Sequence, residues 1–237
     1  MATRLLSALL PAAAAVVLCG CELEPGETGP VQHETRSIDL DKSSKERVEI
    51  NMGAGELQIE GGSPKLLEAD FAYNIRSWKP LVSYDPGGFS GELRIEQPSH
   101  FGGTHGVNYQ WNLRFNDDKP LEMITHLGAG EARMNLGSLN LRGVDVNMGV
   151  GELRLDLRGH PRRDYDVQIR GGVGEATVYL PSDVGIVAEV QGGIGDISAR
   201  GLEKRDGHWI RAASEHAPVT IHLDVQGGVG AVNLIAD

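Results

Sequence analysis

Apolar and polar positions alternate in short runs through most of this chain, and one phrase keeps returning inside those runs. It reads NMGAGELQI at 51–59, HLGAGEARM at 126–134, NMGVGELRL at 147–155, RGGVGEATV at 170–178, QGGIGDISA at 191–199 and QGGVGAVNL at 226–234. Taking the first glycine of each Gly-x-Gly as position zero, apolar residues fill fixed columns. Three positions before it stand Ile50, Thr125, Val146, Ile169, Val190 and Val225. One after it stand Ala54, Ala129, Val150, Val173, Ile194 and Val229; four after it, Leu57, Ala132, Leu153, Ala176, Ile197 and Val232; six after it, Ile59, Met134, Leu155, Val178, Ala199 and Leu234. The positions between are mostly polar, as at Gln58, Arg133, Arg154, Thr177, Ser198 and Asn233. Alternation of this kind, rich in β-branched residues, predicts strands with one buried face.

The parity of the columns changes inside the phrase, from odd offsets to even ones. A straight strand keeps a side-chain period of two, so each phrase marks a corner whose two flanking strands face one interior. The column one after the zero glycine is expected to point inward. The corner glycines are Gly53, Gly55, Gly128, Gly130, Gly149, Gly151, Gly172, Gly174, Gly193, Gly195, Gly228 and Gly230, placed where a Cβ would penalise the backbone. Successive zero glycines are 75, 21, 23, 21 and 35 residues apart. A recurring period of this size is the signature of a solenoid. The prediction is an all-β chain: a single-stranded parallel β-solenoid with about 21 residues per coil, following an irregular N-terminal β region.

That N-terminal region, 37–120, differs in composition. Residues 71–115 contain nine of the chain's twelve aromatics. DDKPLE at 117–122 reads as a seam, and 121–237 as the regular coil. The long last step contains EKRDGHWIRAASEHAP (203–218), which reads as a hairpin excursion.

The start of the chain reads as an address rather than part of the fold. Arg4 precedes an apolar stretch from Leu5 to Leu18, and LCGC at 18–21 follows. This resembles a bacterial lipoprotein signal of residues 1–20, with Cys21 as the lipidated residue. The apolar stretch is too short and too early for a stable membrane span. Residues 21–36, acidic with Pro and Gly, read as a flexible tether. Cleavage would remove Arg4 and no acid, taking the formal charge from −11 to −12. Such an acidic surface opposes binding to a nucleic-acid backbone. Only Cys21 would remain, so no disulfide forms within one mature chain.

VEINMGAGELQIEGGSPKLLEADFAYN (48–74) and LRFNDDKPLEMITHLGAGEARMNLGSLNLRGVDVNMGVGELRLDL (113–157) resemble the bacterial toast-rack domain. The second half is similar to the C-terminal domain of LiaF-type cell-wall-active antibiotic response proteins and to adhesin-like β-solenoids. The resemblance implies an envelope protein without catalytic residues. LiaF-type regulators carry several N-terminal membrane helices, where this chain has a lipoprotein signal.

Three groups of residues invite a functional reading. Glu56, Glu131, Glu152, Glu175 and Asp196 follow the corners as an acidic ladder. In a parallel stack such acids lie about 4.8 Å apart. They are expected to cap their own corner N–H groups rather than to bind calcium, which takes six to eight oxygens. Trp78, Tyr84, Tyr109 and Trp111 are candidate recognition aromatics, with capping of the open end of the coil as their other reading. His100 and His105 share a Gly-rich loop without a third ligand nearby, so no metal or cofactor is expected. The functional expectation is a lipid-anchored envelope module for binding, adhesion or scaffolding, with an envelope protein or glycan as partner. The alternatives are a polysaccharide-active enzyme on a β-helix and a regulator of a two-component system. The polar column Asn51, His126, Asn147, Arg170, Gln191 and Gln226 lacks the paired carboxylates such an enzyme needs.

Overall fold

The computed structural model describes residues 28–98, 106–211 and 217–237. Cys21, His100 and His105 therefore lie outside the described residues.

Five long strands each carry a phrase at their middle: β2 (Lys45–Glu60), β7 (Leu121–Asn135), β8 (Leu141–Asp156), β9 (Tyr165–Leu180) and β14 (Thr220–Ala236). The sixth phrase is split between β10 (Gly185–Ile194) and β11 (Ile197–Arg200). All six pair in parallel with phrase matched to phrase, in the order β2, β7, β8, β9, β14, β10/β11.

The parity change is present. In β8, Val144, Val146 and Met148 are buried before the corner, and Leu153 and Leu155 after it. An interval of five between Met148 and Leu153 cannot arise in a straight strand. The second glycine of every phrase supplies the turn, with φ between +135° and +149°. Each strand therefore has a first arm and a second arm, and both contribute to one hydrophobic core.

Two expectations are corrected. The column one after the zero glycine does not point inward. Val150, Val173, Val229 and Ile194 are 54%, 51%, 47% and 75% exposed. The alternation runs on to the position just before the zero glycine, where Met52, Leu127 and Met148 are buried, so the chain is already rounding the corner at the next apolar residue. The rungs also do not follow the sequence to the end: β14 inserts between β9 and β10. The hairpin β12 (Glu203–Arg205) and β13 (His208–Ile210) occupies the long interval, as expected, and pairs with β10 at Val187 and Ala188. The 35-residue step lets the chain double back past β10.

The N-terminal part continues each arm separately. β5 (Ser90–Glu96) pairs in parallel with the first arm of β2 and antiparallel with β4 (Leu81–Asp85). β6 (Tyr109–Phe115) pairs in parallel with the second arm, followed by β3 (Leu67–Tyr73) and β1 (Gln32–Ile38), both antiparallel. A turn of 3₁₀-helix spans Arg76–Trp78. Residues 32–36, expected in the tether, thus belong to an edge strand, held by its ladder to β3 and by Lys79 Nζ at 3.0 Å from Glu34. Because β2 bonds to β7 over both arms, the sheet runs unbroken across 117–122.

Candidate binding site at the strand elbows

The elbows are built by close stacking of backbone. A Cβ on Gly128, Gly149, Gly172, Gly228 or Gly193 would run into the carbonyl oxygen of the same-column glycine one rung away. The second glycine column is equally tight, and its positive φ adds strain for any other residue. The second glycine of each phrase is therefore required twice over, by conformation and by contact, and the first, from Gly128 onward, by contact alone. The first elbow has its own cap: Gln97 Oε1 accepts from the N–H groups of Gly53 at 2.8 Å and Ala54 at 3.1 Å.

With no Cβ on either side, the residue between the two glycines stands out from the surface. Register places Ala54 beside Ala129, then Val150, Val173, Val229 and Ile194. The outcome is an aliphatic ridge across six rungs, exposed from Ala129 onward, on a chain whose other strand surfaces are largely polar or charged. A contiguous apolar feature framed by polar residues marks an interaction surface.

Behind the ridge the interior is underfilled toward the C-terminal rungs. Met52, Leu127 and Met148 occupy the inward position before the zero glycine in β2, β7 and β8. Gly171, Gly227 and Gly192 take that place in β9, β14 and β10. The missing side chains leave a narrow apolar groove of about 50 Å3, walled by Met148, Leu153, Ile169, Val225, Val232 and Ile197. The sequence shows this substitution of glycine for Met or Leu plainly, yet its meaning depends on knowing that the position faces inward.

The acidic ladder is aligned as Glu56, Glu131, Glu152 and Glu175. Ala231 then separates Glu175 from Asp196 because of the rung inversion. The acids do not cap their own corners. Glu131 and Glu152 pair with Arg133 and Arg154 two residues on, Glu175 accepts from Asn233 Nδ2 at 2.8 Å, and Glu56 accepts from Gln110 Nε2 at 3.0 Å. Side-chain partners in the next outward column, and Gln110 directly opposite Glu56, thus relieve the like-charge repulsion. Among the described residues no three His, Cys, Asp or Glu side chains converge as a metal site.

The candidate aromatics sit elsewhere. Trp78, Tyr109 and Trp111 are buried. Trp111 meets Phe71 edge to face at 5.5 Å, Trp78 meets Tyr109 likewise at 5.5 Å, and the Tyr109 hydroxyl donates to the Trp78 carbonyl at 2.6 Å. They fill the core at the N-terminal end of the stack rather than offering ring faces to a ligand. Tyr84 is half-buried, and its hydroxyl donates to Glu46 at 3.4 Å.

Glu46 leads to a polar cluster that local sequence patterns do not signal. It is fully buried, and Lys119 Nζ lies 3.2 Å away with only 8% of its side chain exposed. Lys119 also donates to the Ser43 carbonyl at 2.6 Å and the Asp41 carboxylate at 3.1 Å. The Ser43 hydroxyl bridges the Asp41 and Glu46 carboxylates. Its bond, with the Ser43 N–H and Lys119, holds the Asp41 carboxyl well below the usual carboxylate range, while burial and these acids push the Tyr84 phenol up. Gly91 makes room, since a Cβ there would run into Glu46 Oε2. This cluster clamps the start of β2 to the β4–β5 hairpin and to the turn before β7, so its geometry is that of a structural pin.

Residues 27–179 match the sequence profile described as the N-terminal domain of toast_rack, DUF2154, about two thirds of the chain. The chain belongs to the toast_rack family. The matched segment includes the expected tether residues that form β1 and spans 117–122 without a break. No curated protein matches this toast_rack sequence. Among solved structures, one from Clostridium sporogenes named a "putative cell adhesion protein" is 32% identical, covers 87% of this chain and 100% of its own, and superposes with a TM-score of 0.84. A "putative adhesin" from Bacteroides fragilis covers 86% of this chain and 97% of its own at 10% identity and a TM-score of 0.32, a likeness too low to carry an argument. The toast_rack chain is thus all-β, and a structure 32% identical to it is named for cell adhesion.

Proposed function

We propose that this toast_rack chain is a non-catalytic adhesion module of the bacterial envelope, held to a membrane by a lipid on Cys21. The observation that carries the reading is the 32% identity over 87% of the chain to a structure named for cell adhesion. The elbow geometry supports it. A rigid stack presents a straight aliphatic ridge at Val150, Val173 and Val229, and backbone packing rather than side-chain choice holds that ridge in place. Rungs β7 to β9, spaced 21 and 23 residues apart, serve as a solenoid-like coil that supports this surface.

The test uses bacteria expressing the full chain. Expression is expected to raise retention on an apolar surface such as polystyrene and to leave retention on a hydrophilic one unchanged. Replacing Val150, Val173 and Val229 together by Lys, all on the outside, should abolish the gain without lowering surface expression. Retention equal to wild type in the triple variant overturns the reading.

A further inference from the structure

We infer that the chain forms a two-fold symmetric dimer by pairing the outer edge of its last rung, residues 189–200, with the same edge of a second copy. The two ends of the stack are unlike. At the N-terminal end, β5 and β4 continue the first arms, and β6, β3 and β1 the second arms. At the other end, β10 and β11 bond to β14 on one side. On the other side β13 covers Val187 and Ala188, and the Arg211 N–H that follows it donates to the Ile186 carbonyl. Among the described residues no strand pairs with the rest of that edge. An unpaired edge that crosses an apolar elbow is a template for another strand.

Symmetry narrows the occupant to a second copy. A two-fold axis along the bisector of the elbow exchanges first and second arms and reverses strand direction. The bent edge then meets itself antiparallel, with both interiors on the same side, as an isologous contact requires. Centring the axis between Ile194 and Gly195 yields one register. In it Val190 faces Ala199 of the second copy, and Gly192 faces Ile197; all four occupy inward columns. Gln191 faces Ser198 on the outward side, and Glu189 faces Arg200. Each of these contacts occurs twice. A slip by one residue would set inward positions against outward ones. A slip by two moves the elbows out of coincidence and separates the charge pair.

Three further features agree. Ile194, at the axis, is 75% exposed, more than any other large apolar side chain among the described residues. Arg200 is exposed and makes no ion pair with a described side chain, while among the described residues Glu189 accepts a side-chain hydrogen bond from Gln191 Nε2 alone, at 2.7 Å. Gly192 and Ile197 of this edge also line the apolar groove. The adhesion ridge at Val150, Val173 and Val229 lies outside this edge, so the dimer does not rest on the adhesion reading.

The experiment is mass determination by light scattering on the full chain in detergent at micromolar concentration, corrected for bound detergent. The expected mass is that of two chains. Ile194→Lys and Arg200→Glu, both exposed, should each weaken dimerisation roughly tenfold or more with the melting temperature of the monomer unchanged, since like charges brought together across an interface are strongly unfavourable. Glu189→Arg combined with Arg200→Glu should restore it. A single-chain mass for wild type overturns the inference. So does a dimer indifferent to both single substitutions, or a charge swap that fails to restore pairing.

Discussion

A Cβ added to Gly151 would lie 1.8 Å from the carbonyl oxygen of Gly130 in the rung beside it. Gly151 also has φ of +140°. The elbow therefore tolerates no side chain, for two independent reasons. Gly151→Val is expected to destabilise the fold by at least about 2–3 kcal/mol, combining backbone strain with a displaced rung. Thermal unfolding checks this. For a domain of this size the loss corresponds to a fall of roughly 5 °C or more in Tm. An unchanged Tm rejects the stacked-elbow account.

Glu152 stands between Glu131 and Glu175 in the ladder, with Arg154 3.5 Å away. Both partners are about half exposed, so their attraction is weak, and relief of repulsion on either side opposes it. Glu152→Gln is expected to change stability by less than about 0.5 kcal/mol, and a chelator is expected to leave the wild-type Tm unchanged. A chelator-induced fall restored by excess calcium would make the ladder a cation site.

The corner and the common interior were legible because both follow from counting: a parity change needs only the order of residues. The direction of Val150 was not, since nothing in its spacing distinguishes the inside of a bend from the outside. The rung inversion was hidden for a related reason. Sequence spacing reports the length of a connection, and a 35-residue step permits several placements of β14. The Glu46–Lys119 contact joins residues 73 positions apart in sequence with no shared motif, and such a pair is visible only in three dimensions. The aromatics of 71–115 were conspicuous as a cluster, but burial decided that Trp111 and Tyr109 build the core.

The anchor is testable without reference to the fold. Cys21→Ser removes the only sulfur that LCGC at 18–21 offers for lipid attachment after cleavage. The variant is expected to fold normally and to leave the membrane fraction in a carbonate wash, whereas wild type stays. Continued membrane association of the variant rejects the lipid anchor.

Asp41 provides a pH signature. Its carboxyl is held below the usual range by the Ser43 hydroxyl and N–H and by Lys119. The folded state thus binds fewer protons than the unfolded state, whose value is about 3.9. The stability Asp41 contributes is complete above that value and is lost as pH falls toward the lowered folded value. Asp41→Asn is expected to lower the denaturation midpoint at neutral pH, with the gap from wild type closing below about pH 4. A gap that stays constant from neutral pH down to acid rejects this assignment.

The buried pair itself makes the sharpest distinction between removing one partner and removing both. Glu46 is fully buried, and Lys119 is its counter-charge at 3.2 Å. Taking away the ammonium alone leaves a carboxylate inside the protein with only Ser43 and Tyr84 as donors. Lys119→Met is therefore expected to cost about 3–5 kcal/mol. Exchanging both residues for apolar ones of similar size removes the uncompensated charge as well as the attraction, and such exchanges are often neutral. Lys119→Met with Glu46→Leu should recover more than half of the single-variant loss, although Asp41 and Ser43 then keep only each other and Tyr84. Urea denaturation of wild type, the two single variants and the double variant closes the cycle. Additive losses would mean that Glu46 and Lys119 act independently, and would remove the structural pin from this account of how β2 is held.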